Sequence, residues 1–504
     1  MQKALSFHHR FPALRWLIAR SWIFALMQVF AWNPSVAAPV EIPSDIGIRP
    51  RMNRIQFPDR EGANRLNERL RRVRSLGLRI VHLGDSHVQF GSYTEGLRDR
   101  LQHTYGNAGF GLVFPYSAAR TYTPAGYSTE HEGEWECAKS RRVPPQLPLG
   151  VVGMTCRTTD PAASFTIQMK RAPKADSRRL RIFCARNAEP MTLDIEADGK
   201  SIKAVIPAAA EDDPVFIEVI LPRAARQLTI RPLEGLGPEA PFEIRGVSIE
   251  RVGPGGVQVH TAGVGASRYW ALLHMAHMEA ELAALQADIV VIDFGTNDYL
   301  YYDTIEPGLE QVIRDSVAKI RAAVPQALII LTSAQDLYFK KVHVTSGRDF
   351  AALVRRIAFE EKVAFWDWFW VAGGPKSLPR WQEEGYARTD GVHLTPKGYY
   401  LKGELLAEAL VVSLKWMEKH PRAKRLEIQQ PTQKKRSKAD ASKPSKASAT
   451  KPRDNYQIHV VSVGESLWTI SRRYNVTVEQ LKQWNGLKRT TLFPGTKLKV
   501  YPPR

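Results

Sequence analysis

The sequence predicts an α/β protein: a parallel sheet packed between helices, interrupted by an all-β insert and followed by a small separate unit. Three observations carry this expectation. Near-continuous apolar runs alternate with helical patterns before residue 105 and again after 257, as strands buried on both faces require. Between 117 and 252 the helical period gives way to short alternating runs with turn residues between them. From 421 to 455 the apolar content collapses, and it returns in a final segment, 456–504.

In chain order, residues 1–37 come first. Basic Lys3, Arg10, Arg15 and Arg20 precede an apolar run at 22–32 and the small residues Ser35-Val36-Ala37-Ala38, the order of a secretory signal. The run is short for a bilayer span. Cleavage is expected after Ala37, because Pro39 disfavours a cut after Ala38. An uncleaved anchor extended by Leu14, Trp16, Leu17 and Ile18 is the alternative. The formal net charge of +20 over 504 residues favours an anionic partner. Export, to a periplasm or cell envelope, argues for an acidic wall polymer and against nucleic acid, and no membrane contact is expected once the signal is removed.

The first part of the α/β unit is expected over 38–116. Residues 39–77 read as polar and irregular, ending in an Arg-rich helix near 64–75. "RIVHL" (79–83) is a buried strand, and a helix follows at 93–104. The insert, 117–252, holds about seven short strands, among them 165–169, 180–185, 192–197 and 201–206, the last two joined by an Asp198-Gly199 turn. That spacing predicts a β-sandwich. The α/β pattern resumes over 253–420, with strands at 257–260, 288–294, 327–333 and 363–368. Its helices are expected at 267–286, 308–323, 348–361 and 396–419, the last opened by Pro396. The stretch 421–455 is rich in Lys, Ser, Ala and Pro and is expected to be a solvated linker.

Of three cysteines, Cys137 and Cys156 lie in loop-like sequence of an exported chain and are the expected disulfide. Cys184, inside a strand pattern, reads as a small buried apolar residue. No His or Cys cluster has metal-site spacing, and neither metal nor cofactor is expected.

Three motifs fall at strand ends of the α/β unit: Gly84-Asp85-Ser86, Gly295-Thr296-Asn297-Asp298 and Asp390-Gly391-Val392-His393. In an open parallel sheet such ends share one edge. Ser86 alone reads equally as a helix cap. Together the motifs supply a serine triad: Ser86 as nucleophile, His393 as base, and Asp390 three residues earlier to fix the imidazole. The Ser86 N–H, the Asn297 amide and a glycine N–H would hold the oxyanion. Gly265 is the preferred glycine, with Gly109 or Gly111 in "GNAGFG" as the rival. His82 and His87 read as packing or supporting residues. Trp381 and Tyr386 either line the site or cover the core.

At these residues the chain resembles the SGNH, or GDSL-like, hydrolases. The resemblance covers about 78–417 without the insert, and falls on Ser86, Gly265, Asn297 and His393, with Asp390 completing the triad. It implies a flavodoxin-like α/β/α sandwich of about five parallel strands and a serine esterase. The first block reads GDSH rather than GDSL, and the second block is loose. The insert resembles the carbohydrate-binding-like insert of some peptidoglycan O-acetylesterases of that family. The segment 456–504, with "HVVSVGESLWTIS", "YNVTVEQLKQWN" and "LFPGTKLKV", resembles a LysM domain of strand, helix, helix, strand. That resemblance implies binding of peptidoglycan or another N-acetylglucosamine-containing glycan through Gly464-Glu465-Ser466-Leu467 and the loop around Gly486 and Leu487. The expected function is removal of O-acetyl groups from peptidoglycan or a related wall glycan by an exported, wall-tethered enzyme. A glycan O-acetyltransferase and a catalytically idle wall-binding scaffold are the alternatives.

Overall fold

A run of mostly aliphatic residues, buried on both faces, makes Leu78–Gly84 (β2) an interior strand of a six-stranded sheet. The other strands are Ile55–Gln56 (β1), Val257–Gly263 (β3), Ile289–Asp293 (β4), Leu328–Thr332 (β5) and Ala364–Trp366 (β6). Their order is β1-β6-β5-β4-β2-β3. β6 to β3 are parallel, and β1 runs antiparallel against β6. The five parallel strands have the flavodoxin-like order, with its switch point between β2 and its neighbours β3 and β4. The computed structural model describes residues 39–142, 144–210, 215–301, 304–431 and 456–461, the positions 467, 470, 471, 474 and 476, and residues 478–487 and 495–501. The expected signal, most of the linker, and Gly464, Glu465 and Ser466 lie outside them.

The alternation along each strand sorts its side chains onto two faces. Ile80, Val259, Val291, Ile330 and Trp366 face the helices Glu61–Arg71 (α1), Ser92–Tyr105 (α3) and Pro396–Lys419 (α7). Val81, Leu83, Val290, Ile292 and Leu331 face Met278–Ala284 (α4), Leu309–Ala323 (α5) and Gly347–Glu360 (α6). The one-turn helix Ser86–Gln89 (α2) follows β2 directly. α3 and α7 cross at two glycines. A methyl group at Gly403 would sit 2.1 Å from the Tyr93 carbonyl oxygen, and one at Gly96 2.2 Å from that of Tyr400. No side chain fits between the two backbones there. Among the described residues, no helix is long and apolar enough to cross a membrane.

The insert consists of two antiparallel sheets. One has the strands 200–206, 191–197, 227–234, 164–169 and 127–132, in that order. The other has 216–220, 179–184, 242–250, 154–158 and 136–139. The Asp198-Gly199 turn has positive φ at both residues, the geometry that matches strand twist in a hairpin.

Four expectations need correction. Gly109–Val113 is a strand of the insert, paired with Phe242–Glu250, so the inserted sheet begins before 117. Cys137 and Cys156 do form a disulfide, but as directly opposed strand residues rather than loop residues. Residues 39–77 are not wholly irregular: Ile55–Gln56 caps the sheet edge, and the Arg-rich helix spans Glu61–Arg71. The span 267–286 is no continuous helix. A 3-10 turn, Tyr269–His274, ends at an extended Met275, and α4 begins at Met278. Lys319 Nζ binds the Met275 carbonyl at 3.0 Å and the His277 N–H donates to Leu149 O, which takes up the groups freed by the break.

In the C-terminal unit, Gln457–Val460 pairs antiparallel with Lys497–Val500, and Val478–Trp484 is helical. Val461, Leu467, Ile470, Leu481, Leu498 and Val500 form its core, with Trp484 packed against it. Of the expected glycan segment Gly464-Glu465-Ser466-Leu467 only Leu467 is described, and it is buried, while Leu487 of the second expected loop packs partly buried against the core.

Candidate active site

The turn after β2 is tight because its last residue has no side chain. A methyl group at Gly84 would lie 2.3 Å from Val88 Cγ2 and 2.7 Å from the Asp293 carbonyl oxygen. Ser86 is the first residue of α2, and it is not the cap. Asp85 is, its Oδ1 accepting the His87 N–H at 2.9 Å. The Ser86 hydroxyl is thereby left for His393, whose Nε2 lies 2.9 Å from Oγ. His393 Nδ1 is 2.8 Å from Asp390 Oδ2. Asp390 Oδ1 accepts the N–H groups of Val392 and His393 at 2.8 and 2.9 Å. Partial burial pushes the Asp390 carboxyl up, but those two N–H groups and the imidazole outweigh it, so it titrates below the usual carboxylate range.

The row lies on a buried polar floor. His87 packs beside His393 with ring centroids 5.2 Å apart. Tyr399 Oη and Thr296 Oγ1 hold the two His87 nitrogens at 2.7 and 3.1 Å. Burial, the neighbouring His393 and Lys402 depress the His87 imidazole well below its ordinary value, so it stays neutral. Deeper still, Lys402 Nζ meets Asp293 Oδ2 at 3.0 Å, with both side chains buried. Burial opposes the Asp293 charge, but Lys402 and His82 outweigh it and hold that carboxyl below its ordinary range. Asp298 has no buried ion pair of that kind among the described residues, and Arg268 only partly offsets its burial. It accepts the Tyr269 N–H at 3.2 Å, and burial outweighs the groups that favour its charge and lifts it to about 7.

Two of the expected oxyanion donors, Gly265 and Asn297, have acceptors within the protein. Gly109 and Gly111 are strand residues against Phe242–Glu250, away from Ser86. The Gly265 N–H is beside the site but donates to Gln89 Oε1 at 2.6 Å. Gln89 in turn donates from Nε2 to Tyr122 O and Thr121 Oγ1 in the first loop of the insert. The Asn297 amide donates to Asp85 Oδ2 at 3.1 Å and Ser267 O at 3.0 Å. Trp381 and Tyr386 are core residues, 1% and 8% exposed. Asp85, Gln89, Tyr122 and Tyr399 were not foreseen. Asp85 and Gln89 flank Ser86 in sequence, so a helix-cap reading and the Ser86-to-Gln89 spacing carried a signal. Tyr122 carried none.

A hydroxyl, an imidazole and a carboxylate in one hydrogen-bonded row, at the carboxyl edge of a flavodoxin-like sheet, define a serine acylhydrolase of the SGNH class. Comparison with known proteins agrees. Residues 245–401 match the GDSL-like lipase/acylhydrolase family and residues 459–500 the LysM domain, so the chain carries a domain of each kind. A solved peptidoglycan O-acetylesterase is 26% identical with a TM-score of 0.59, covering 72% of this chain and 99% of that one. Over 42 residues the chain is 52% identical to N-acetylmuramoyl-L-alanine amidase sle1 of Staphylococcus haemolyticus, which is 8% of this chain and 13% of that protein. Over 42 residues it is 48% identical to the probable autolysin SsaALP of Staphylococcus aureus, 8% of this chain and 16% of that protein. The match thus spans only about an eighth to a sixth of these two staphylococcal proteins, the extent of a LysM domain.

Proposed function

We propose that this enzyme removes O-acetyl groups from peptidoglycan in the cell envelope, held to the wall by its LysM domain. The single observation that carries the reaction is the row Ser86 Oγ, His393 Nε2 and Nδ1, Asp390 Oδ2, with links of 2.9 and 2.8 Å. Ser86 attacks the acetyl carbonyl as His393 takes its proton. Asp390 keeps the Nδ1–H tautomer and stabilises the imidazolium. The sugar oxygen leaves with the proton from His393, and water, activated by the same imidazole, releases acetate from Ser86.

The Ser86 N–H opens α2 and donates to no protein acceptor among the described residues, so it is the first oxyanion donor. Gly265 and Asn297 would join by sharing donors that are internally engaged in the resting enzyme. The substrate reading draws on the likeness to a solved peptidoglycan O-acetylesterase over nearly all of that chain, together with the LysM domain. The test is acetate release from O-acetylated peptidoglycan by the mature protein and by Ser86→Ala. Wild-type release, reduced by several orders of magnitude in the variant, supports the reading. No release from either, with acetyl transfer appearing once a glycan acceptor is added, replaces it with a transferase.

A further inference from the structure

The wall of the site beside Ser86 is built from three segments. Phe90 donates its N–H to Ser86 O at 3.1 Å. Tyr122, from the insert, points its hydroxyl at the same carbonyl from 3.5 Å and packs near the Phe90 ring. Arg388, two residues before Asp390, lays its guanidinium over the Phe90 ring at 4.6 Å. Its backbone is tied on both sides: the N–H donates to His393 O at 2.8 Å, and the carbonyl accepts from Gln382 Nε2 at 2.7 Å. The cation is thus fixed between the segment that bears the nucleophile and the segment that bears the base.

Its donors are not spent on the fold. Arg388 is exposed, and among the described residues its guanidinium makes no ion pair and donates no hydrogen bond. Arginines that serve packing elsewhere in this chain do the opposite. Arg245 meets Glu281 at 2.7 Å and Glu243 at 2.9 Å, and Arg60 binds three backbone carbonyls. A rigid fork of five donors held over an aromatic ring is suited to a planar carboxylate.

We infer that Arg388 is a specificity-determining residue that binds a carboxylate of the substrate, so that the enzyme prefers acetylated strands bearing free peptide-stem carboxylates over neutral acetylated glycan. The inference rests on the peptidoglycan reading and deepens it. Phe90 and Tyr122 supply the apolar face against which the sugar ring lies, and Arg388 reads the charge beside it.

The test uses O-acetylated peptidoglycan strands with free stem carboxylates and the same strands after amidation of those carboxylates. Acetate release is followed as kcat/KM for wild type, Arg388→Gln and Arg388→Lys. The wild type is expected to prefer the free-carboxylate strand by about tenfold, the low end for a charge-assisted hydrogen bond at an exposed site. Arg388→Gln abolishes that ratio. Arg388→Lys, a point charge without the fork, keeps part of it. Added salt shrinks the wild-type ratio. Equal ratios in wild type and Arg388→Gln, or no wild-type preference at all, overturn the assignment while the esterase reading stands. A wild type that releases no acetate from either strand overturns both.

Discussion

Replacing Asp390 with Asn separates orientation from shape. Oδ1 of the native carboxylate takes the N–H groups of Val392 and His393, and Oδ2 takes Nδ1 of the imidazole. In the Asn variant the amide oxygen keeps the two backbone bonds, which leaves the NH2 group facing His393 Nδ1. His393 must then accept there and carry its proton on Nε2, the atom that should receive the proton of Ser86. Turning the amide over restores the tautomer but leaves two backbone N–H groups against an NH2. At about 1–3 kcal/mol for each unsatisfied donor, the flipped form is disfavoured by about 2–6 kcal/mol. It is therefore populated at about one part in 30 to one part in 3 × 10⁴. Loss of the carboxylate charge beside the imidazolium adds to this, and kcat is expected to fall by about 10³–10⁴. The melting temperature should hardly move, because the loop keeps its acceptor. Asp390→Ala should lose the rate and also some stability. The assay is steady-state hydrolysis of an acetyl ester with thermal unfolding of the same samples. An Asn variant with more than a tenth of wild-type kcat would refute the orienting role of Asp390.

Three further outcomes are expected. Lys402→Met strands the buried Asp293 carboxylate and should cost about 3–5 kcal/mol in chemical unfolding, and adding Asp293→Asn should recover most of the loss. Asp298, lifted to about 7 by burial from an ordinary value of 3.8, is protonated in the fold where the unfolded chain ionises. Its stabilising contribution is complete below about pH 4 and is lost as pH rises toward 7, so unfolding free energy in that window should flatten in Asp298→Asn, measured against wild type. Replacing Cys137 and Cys156 with Ser opens a closure of 19 residues and should lower stability by about 3 kcal/mol, read by thermal unfolding. Cys184, buried with its thiol pushed up to about 12, carries too little thiolate to exchange with that pair, so non-reducing mass mapping should find it free.

The residues that meet at Ser86 were legible because each sits in a short motif, at a strand end for Ser86 and Asn297 and in the loop before α7 for Asp390 and His393. Ser86 and Asn297 need only the rule that parallel strands share a carboxyl edge, and Asp390 needs only its spacing from His393. What escaped has no local signature. β1 is two residues long, too short for any period to register, and its place follows from pairing with β6. The break at Met275 depends on Lys319, far along the chain. The link from Gln89 to Gly265 and Tyr122 joins a helix, a loop and the insert, and no one of the three segments announces it. Trp381 and Tyr386 were undecidable from a loop pattern because burial is a property of what packs over them. The expected extent of the insert failed for a related reason: Gly109–Val113 follows a helix of the α/β unit but pairs with a strand more than a hundred residues later.

The insert also governs the order in which the molecule can assemble. Strand β2 of the catalytic sheet places Leu78 opposite Val257, so this pairing must wait until the whole intervening segment has emerged and been drawn together. Closing so long a loop as random chain is slow, and sheets rich in such distant pairings nucleate late. Once its two sheets are formed, however, the insert brings its own ends into contact, with Asn107 bridged to Val257. The distance left to close becomes that of a short connection. Refolding of the catalytic sheet, followed by the return of esterase activity, should therefore track folding of the insert, and a lesion in the insert far from Ser86 should be felt first as slow recovery of activity.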